Sequence, residues 1–264
     1  MVPLVFHVGL MKSGSTSLQK AVKSASQVQF ISAKEVKATS LRSVTAISKA
    51  LSRTMPAAPL LPLFVSHEAL VTVRAPKLIT ALAEYPEATV LVVWRPAVER
   101  FESHYKMAVT RAGLAQYPND FYTARTRSFL RTSSREKISS LLRGRVEFLD
   151  FSEMRDSPTT FYDRISAMLS LPAGAIQPPE KAYNVAMSID AAVVALNANI
   201  AARRLIGNKK KLVEGHRALM QSFYRIRRKN GVFTQLVESD PQLLAMRDRI
   251  NAELAEIRDT LSRG

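Results

Sequence analysis

Short apolar runs alternate with segments of helical periodicity over the first two thirds of the chain. Five runs predict buried strands because they are continuous and rich in β-branched and aromatic residues; they cover residues 4–8, 28–31, 63–67, 89–94 and 146–151. Helical spacing of apolar residues follows at 15–25, 34–52 and 76–84, and prolines predict a loop over 56–62. This alternation is typical of an α/β protein with a mostly parallel sheet. The run 89–94 is continuous, apolar and β-branched, so we expect it to form a central strand, covered on both faces.

Beyond Pro158 the pattern is almost wholly helical. A chain of 264 residues with 47% hydrophobic residues can bury a full core. We therefore expect one domain over 1–264, made of an α/β core (1–172) and a helical C-terminal extension (173–264).

The segment between the first strand and the first helix has the composition of a phosphate-binding loop. Residues 9–16 read Gly-Leu-Met-Lys-Ser-Gly-Ser-Thr. The loop of nucleotide triphosphatases reads G-x-x-x-x-G-K-[ST], and here Gly9 and Gly14 keep that spacing while Ser15 takes the place of the lysine. The lysine, Lys12, stands inside the loop instead. A strand–loop–helix unit directs backbone N–H groups and the helix dipole at an anion, so the sequence predicts a phosphate cradle that serves transfer of a group other than the γ-phosphoryl group. The alternative is an ordinary Gly/Ser turn that opens a helix.

A second candidate anion site follows the fourth predicted strand. Arg95 comes directly after Trp94, and Ser103 lies eight positions later on the following helix. Ligands of open α/β sheets bind at the carboxyl ends of the strands, and a guanidinium with a hydroxyl suits a phosphate monoester. In the alternative interpretation, Arg95 pairs with a carboxylate at the sheet edge and Ser103 is a surface residue.

These two segments together resemble the sulfotransferase family. Residues 6–18 are similar to its 5′-phosphosulfate loop, and residues 95–105 to its 3′-phosphate motif. Residues 150–154 and 168–172 resemble a weaker pattern of the family. Pro96 departs from it, since the family's proline usually comes one position later. Beyond about residue 184 there is no match, although residues 227–231 are a weak candidate for a nucleotide contact.

The resemblance implies a P-loop-like fold, a central parallel sheet flanked by helices, whose 1–172 core binds a nucleotide. It implies 3′-phosphoadenosine 5′-phosphosulfate (PAPS) as co-substrate, and no metal. Lys12 would stabilise charge on the 5′-phosphate during transfer, and Arg95 and Ser103 would hold the 3′-phosphate. The 5′-phosphosulfate would be held by the loop residues, namely Lys12, Ser13, Gly14, Ser15, Thr16 and Ser17.

An acceptor hydroxyl also needs a base, and the end of the third strand offers two. His67 has an unperturbed pKa near 6.5, which suits a base at neutral pH, and Glu68 could serve if partly desolvated. Adjacent strand residues point to opposite faces, so we expect one of the two to face the acceptor. The alternatives are a core-facing histidine and a helix-capping glutamate. We expect His7 to be a core residue of the first strand and His104 a helix-packing residue.

The chain is strongly basic, with a net charge of +16 and a pI near 10.3. Residues 203–229 contain ten Lys or Arg and one acid, Glu214. Such a run is either a solvated helical face or a surface for a polyanion. We expect an anionic or glycan acceptor, such as a polysaccharide or a glycolipid headgroup, and disfavour nucleic acid because aromatic residues are few there and no nucleic-acid motif is present.

Two other function classes stay open. One is a P-loop kinase or NTPase, although this chain lacks the lysine that such a loop would have after Gly14. The other is a non-catalytic basic protein that binds polyanions. The absence of cysteine excludes disulfides, Cys–zinc sites and thiol nucleophiles. No apolar run approaches the roughly 20 residues that span a bilayer, and the first strand begins by residue 4, which leaves no room for a signal peptide. We therefore expect a cytoplasmic protein, with peripheral contact at the inner membrane left open.

Overall fold

The computed structural model of the protein describes residues 2–32, 60–66, 85–124, 129, 132, 134–142, 146–180, 187–206, 214–215, 218 and 231–263. The helices predicted over 34–52 and 76–84, and most of the proline-rich loop, lie outside these residues.

The described residues form one sheet of five parallel strands. The strands are β1 Leu4–Gly9, β2 Gln29–Ser32, β3 Leu63–Ser66, β4 Thr89–Trp94 and β5 Glu147–Asp150. Their order is β2-β3-β1-β4-β5, so the predicted α/β fold with a parallel sheet flanked by helices is confirmed. Residues 89–94 form β4, which lies between β1 and β5, so the expectation of a central strand covered on both faces is confirmed; β1 lies beside it in the middle of the order. Both strands are interior and buried on both faces, and an apolar run does not distinguish two such positions.

The strand register brings several polar strand ends to one edge of the sheet. His7 of β1 pairs with Ser66 at the end of β3, and Trp94 pairs with Asp150 at the ends of β4 and β5. The β1–β4 register shifts between His7 and Gly9, where β1 runs into the glycine loop. This carboxyl edge is where parallel α/β sheets bind ligands.

Helices cover both faces of the sheet. Other helices form a second compact unit. In chain order the helices of the described residues are α1 Ser15–Ser24, α2 Ala97–Ala112, α3 Pro118–Thr123, α4 Arg135–Leu141, α5 Phe151–Asp156, α6 Pro158–Met168, α7 Ile189–Ile206, α8 Val232–Ser239 and α9 Pro241–Arg263.

The first of two compact units contains the sheet, over residues 1–96 and 131–184. On one face, Phe6 and Val8 of β1 pack with Ile138 of α4. On the other face, Val5 packs in a layer with Leu18 of α1 and with aromatic and aliphatic residues of α6. The alternation of β1 side chains between the two layers follows from the two-residue period of a strand.

The second unit is helical and covers residues 97–130 and 185–264. A buried stripe on α9 repeats every three or four residues, as expected for an amphipathic helix, and consists of Leu243, Met246, Ile250, Leu254, Ile257 and Leu261. Buried Asn199 of α7 donates to the carbonyl oxygens of Val109 and Leu114, both at 2.9 Å. This unit includes α2 and α3, which the sequence analysis assigned to the α/β core. In the described part of the chain, no helix is both long and apolar enough to cross a membrane.

Candidate functional site

The loop between β1 and α1 has a backbone suited to an anion. Gly9, Lys12 and Gly14 have φ values of 148°, 67° and 75°. The Gly14 carbonyl accepts hydrogen bonds from the N–H groups of Ser17 and Leu18, at 2.9 and 3.1 Å, which opens the helix. The first N–H groups of a helix have no partner within it and carry the positive end of its dipole. The first turn of α1 holds no acidic residue, so no carboxylate of that turn competes with an anionic ligand for the positive end of the dipole.

Serine hydroxyls of the loop are buried beside this helix start. Ser15 Oγ donates to the carbonyl oxygen of Leu10 at 3.3 Å. Ser13 is fully buried, and among the described residues nothing makes a hydrogen bond to its Oγ. A buried hydroxyl without a hydrogen-bond partner costs stability. An oxygen of a bound phosphate group would supply that partner. Thr16 and Ser17 are half-buried on the first turn. The residues therefore fit a phosphate group.

The backbone of Lys12 connects the loop to the end of β4, the strand beside β1 in the sheet. Lys12 is half-buried and lies in the left-handed region, which non-glycine residues seldom adopt and which concentrates at functional sites. Its carbonyl oxygen accepts a hydrogen bond from Arg95 Nη1 at 2.8 Å. The two candidate cationic residues, 83 positions apart in sequence, are thus brought together.

Arg95 also lies over the ring of Phe151, with its guanidinium carbon 4.4 Å from the ring centroid, a cation–π geometry. Asp150, the carboxylate at the end of the neighbouring strand, forms an ion pair with Arg135. Arg95 therefore contacts both a backbone carbonyl of the loop and an aromatic face.

Phe151 and Met154 of α5 pack directly onto Gly14. A Cβ atom on Gly14 would lie 2.6 Å from Met154 Sδ and 3.0 Å from Phe151 Cε2. Sequence reasoning assigned no role to these two residues. A signal was present, since residues 150–154 weakly resemble a family pattern and Phe151 follows β5 directly, as Arg95 follows β4.

The remaining predicted site residues are placed as follows. Ser103 is half-buried on α2 of the helical unit, and its pairing with Arg95 stays a prediction. His67 and Glu68 lie outside the described residues, as do Lys209, Lys210 and Lys211 of the basic region. The choice of base therefore stays a prediction too.

The two described histidines are packing residues, as expected. His104 makes an edge contact with Phe121, with ring centroids 5.3 Å apart. His7 is fully buried in β1 and stacks with Phe64 at 6.2 Å. Burial lowers the pKa of His7 to about 4, an effect that a backbone group of Gly9 partly offsets. His7 is therefore neutral at pH 7.

In the residues that the structure describes, no three His, Asp or Glu side chains are grouped so that they could hold a metal ion.

Comparisons with known proteins identify the fold. No family model matches the chain, and no curated protein sequence matches it significantly. A crystal structure of a sulfotransferase from Alicyclobacillus acidocaldarius matches with a TM-score of 0.50 at 14% identity, over 81% of this chain and 99% of that chain. A crystal structure of mouse sulfotransferase SULT7A1 complexed with PAP matches with a TM-score of 0.45 at 13% identity, over 90% and 89%. The first match shows that the chain has a sulfotransferase fold; since a fold does not imply a function, the activity has to be argued from the site.

Proposed function

We propose that this protein is a sulfotransferase that transfers the sulfuryl group of PAPS to an acceptor hydroxyl. One observation carries the proposal: the lysine of the glycine loop lies inside the loop, and its carbonyl oxygen is bonded by the arginine that follows the adjacent strand. A kinase or NTPase loop would have its lysine after Gly14. The sulfotransferase fold agrees with this interpretation.

The donor would be held at its two phosphate-bearing ends. The N–H groups at the start of α1, with Ser13, Ser15, Thr16 and Ser17, would bind the 5′-phosphosulfate, and the unpartnered Oγ of Ser13 supports this assignment. Arg95, with Ser103 as the sequence predicts, would bind the 3′-phosphate. Recognition of that 3′-phosphate would separate PAPS from ATP.

Transfer would break the bond between sulfur and the oxygen of the 5′-phosphate and form a bond between sulfur and the acceptor oxygen. The charge that develops on the leaving phosphate would be stabilised by Lys12, because preorganised cations contribute most where charge develops. The acceptor proton would pass to His67 or Glu68. The chemistry would then depend on positioning and charge, as in phosphoryl transfer.

The acceptor would be an anionic or glycan hydroxyl compound, such as a polysaccharide or a glycolipid headgroup. The basic run over residues 203–229 supports this proposal, since it would attract a polyanion or an anionic membrane surface. Arg203 and Arg204, at its start, are exposed on the last turn of α7.

The donor is tested by measuring the thermal stability of the protein with 3′,5′-ADP, the desulfated form of PAPS, and with ATP–Mg²⁺. A ligand at 100 times its Kd stabilises the folded state by about 2.7 kcal/mol, so we expect a clear rise in Tm with 3′,5′-ADP. Lys12→Ala and Arg95→Ala should each weaken binding by about ten- to a hundredfold, since a hydrogen bond to a charged group contributes about 1.5–3 kcal/mol.

Lys23→Ala is the matched control, because Lys23 is an exposed lysine in the last turn of α1, the helix that follows the loop. It should leave the Kd for 3′,5′-ADP unchanged. Stabilisation by ATP–Mg²⁺ with no response to 3′,5′-ADP would instead indicate an NTPase. Salt-dependent DNA binding that is indifferent to Lys12→Ala would indicate a non-catalytic polyanion-binding protein.

A further inference from the structure

Three polar side chains meet beneath the phosphate-binding loop, and the proposed function gives them no role. His7 of β1 and Ser66 of β3 are fully buried, and Gln19 of α1 is half-buried. His7 Nδ1 and Ser66 Oγ are 2.8 Å apart, and Gln19 Nε2 donates to Ser66 Oγ, also at 2.8 Å. We call these residues the Ser66 cluster. Side chains from three elements converge on one hydroxyl.

The hydrogen-bonding capacity of Ser66 matches its two neighbours. A serine hydroxyl has one hydrogen and two lone pairs. Ser66 Oγ accepts from Gln19 and can donate to His7 Nδ1, which satisfies both partners at once. The proton of the neutral imidazole then lies on Nε2.

The cluster holds both ends of the loop. His7 lies two residues before Gly9, where the loop begins, and Gln19 lies four residues after Ser15, where α1 begins. His7 and Ser66 are also the last paired residues of the β1–β3 ladder. Directional hydrogen bonds through Ser66 therefore link the strand that enters the loop to the helix that leaves it. Apolar packing alone lacks such direction.

We propose that Gln19, Ser66 and His7 are positioning residues that set the geometry of the phosphate-binding loop, and thereby the affinity for the 5′-phosphate of the nucleotide. This inference rests on the proposed function. It predicts that disrupting the cluster weakens the binding of ligands that reach the loop and spares ligands that do not.

Two nucleotides test this selectivity by titration calorimetry. 3′,5′-ADP carries the 5′-phosphate, whereas adenosine 3′-phosphate lacks it. Ser66→Ala should raise the Kd for 3′,5′-ADP about tenfold or more and change the Kd for adenosine 3′-phosphate less than about threefold, since small misplacements of a site have large effects. Gln19→Leu should have the same selectivity, and because Gln19 is only half-buried this variant tests the inference even if Ser66→Ala does not fold.

Ser166→Ala is the matched control for the loss of a buried serine. Ser166 lies on α6, is fully buried, and its Oγ donates to the Tyr162 carbonyl and accepts from the Ile176 N–H. Its removal should lower Tm without changing either Kd.

An apolar replacement of the whole cluster separates positioning from stability. The variant His7→Phe, Ser66→Ala, Gln19→Leu removes the two hydrogen-bonded contacts of the cluster together with all three of their polar groups, so Tm should recover relative to Ser66→Ala. The affinity for 3′,5′-ADP should stay low. If the affinity recovered together with Tm in this triple variant, the inference would be overturned. It would also be overturned if Ser66→Ala and Gln19→Leu left the Kd for 3′,5′-ADP unchanged, or if they weakened the binding of both nucleotides equally. A wild-type protein that does not bind 3′,5′-ADP would overturn the proposed function itself, and this inference with it.

Discussion

At the scale of single residues, the backbone and the side chain of Lys12 can be tested separately. Its carbonyl oxygen is the group that Arg95 binds. A substitution of its side chain therefore removes the charge and keeps the partner of Arg95. Alanine also adopts the left-handed region at a cost like that of lysine, about 1–2 kcal/mol. Lys12→Ala is for this reason a clean test of the charge.

His7 should make the stability of the protein depend on pH. Its pKa is about 4 in the folded state and 6.5 in the absence of burial. As the pH falls through 6.5 the unfolded chain takes up a proton that the folded protein does not, so the free energy of unfolding should fall between pH 6.5 and 4 and level off below. The loss should reach up to about 3 kcal/mol, at 1.36 kcal/mol per unit of pKa difference.

The measurement is urea unfolding of wild type and His7→Gln at several pH values from 7.5 to 4. Carboxylates also titrate toward the acid end of this range, and the difference between the two proteins isolates the histidine. Parallel curves for the two proteins would contradict the prediction.

At the scale of elements, each predicted strand boundary agrees with the structure to within one residue. The prediction of residues 28–31 corresponds to β2 over Gln29–Ser32, and that of residues 89–94 to β4 itself. Local patterns suffice here because buried parallel strands need continuous apolar runs. The packing of α5 onto the loop was not predicted, because α5 is a six-residue helix with no fully buried residue and no periodic signal.

The contact between α5 and the loop makes Gly14 intolerant of a side chain. Gly14→Ala meets Met154 and Phe151 and also forces alanine into a left-handed backbone. We expect a loss of about 2–5 kcal/mol of stability, combining about 1–2 for the backbone with about 1–3 for overpacking. Urea unfolding measures it, and binding of 3′,5′-ADP should weaken as well.

Gly174→Ala is the matched control for this prediction. Gly174 has nearly the same φ, 77°, and lies in the same unit, but its added Cβ would meet only the end of the Gln177 side chain, at 3.3 Å. It should cost only the backbone contribution, about 1–2 kcal/mol. Truncation of Met154 to alanine in the Gly14→Ala background should recover part of the steric loss. Equal losses at the two glycines would show that steric contact with α5 is unimportant.

At the scale of the whole molecule, much of the net charge of +16 comes from residues 203–229, so the role of this region in acceptor binding can be tested by mutation. Charge reversal at Lys209, Lys210 and Lys211 should raise the KM for an anionic glycan, with desulfated heparin as the probe, several-fold through weakened attraction. The Kd for 3′,5′-ADP should not change. The comparison is reversal at Lys20 and Lys23, exposed residues of α1 outside the basic run. An unchanged KM in the triple variant, or an equal rise in both variants, would remove the basic region from acceptor binding.

The sequence by itself determined the chemistry that is carried by neighbours in the chain. The sequence contains the glycine spacing, the displaced Lys12, the apolar runs of the strands and no cysteine. Such features can be interpreted locally because backbone preferences and burial periods act over a few residues. The α/β class and the position of the glycine loop between β1 and α1 could be predicted for this reason.

Only the tertiary structure decided which distant residues meet. The strand order β2-β3-β1-β4-β5 sets β1 between β3 and β4. It thereby brings Ser66 to His7, and Arg95 to the carbonyl of Lys12, while β5 leads into Phe151 beside Arg95. These contacts depend on how the strands are arranged and registered, a property of the whole sheet that no single segment encodes.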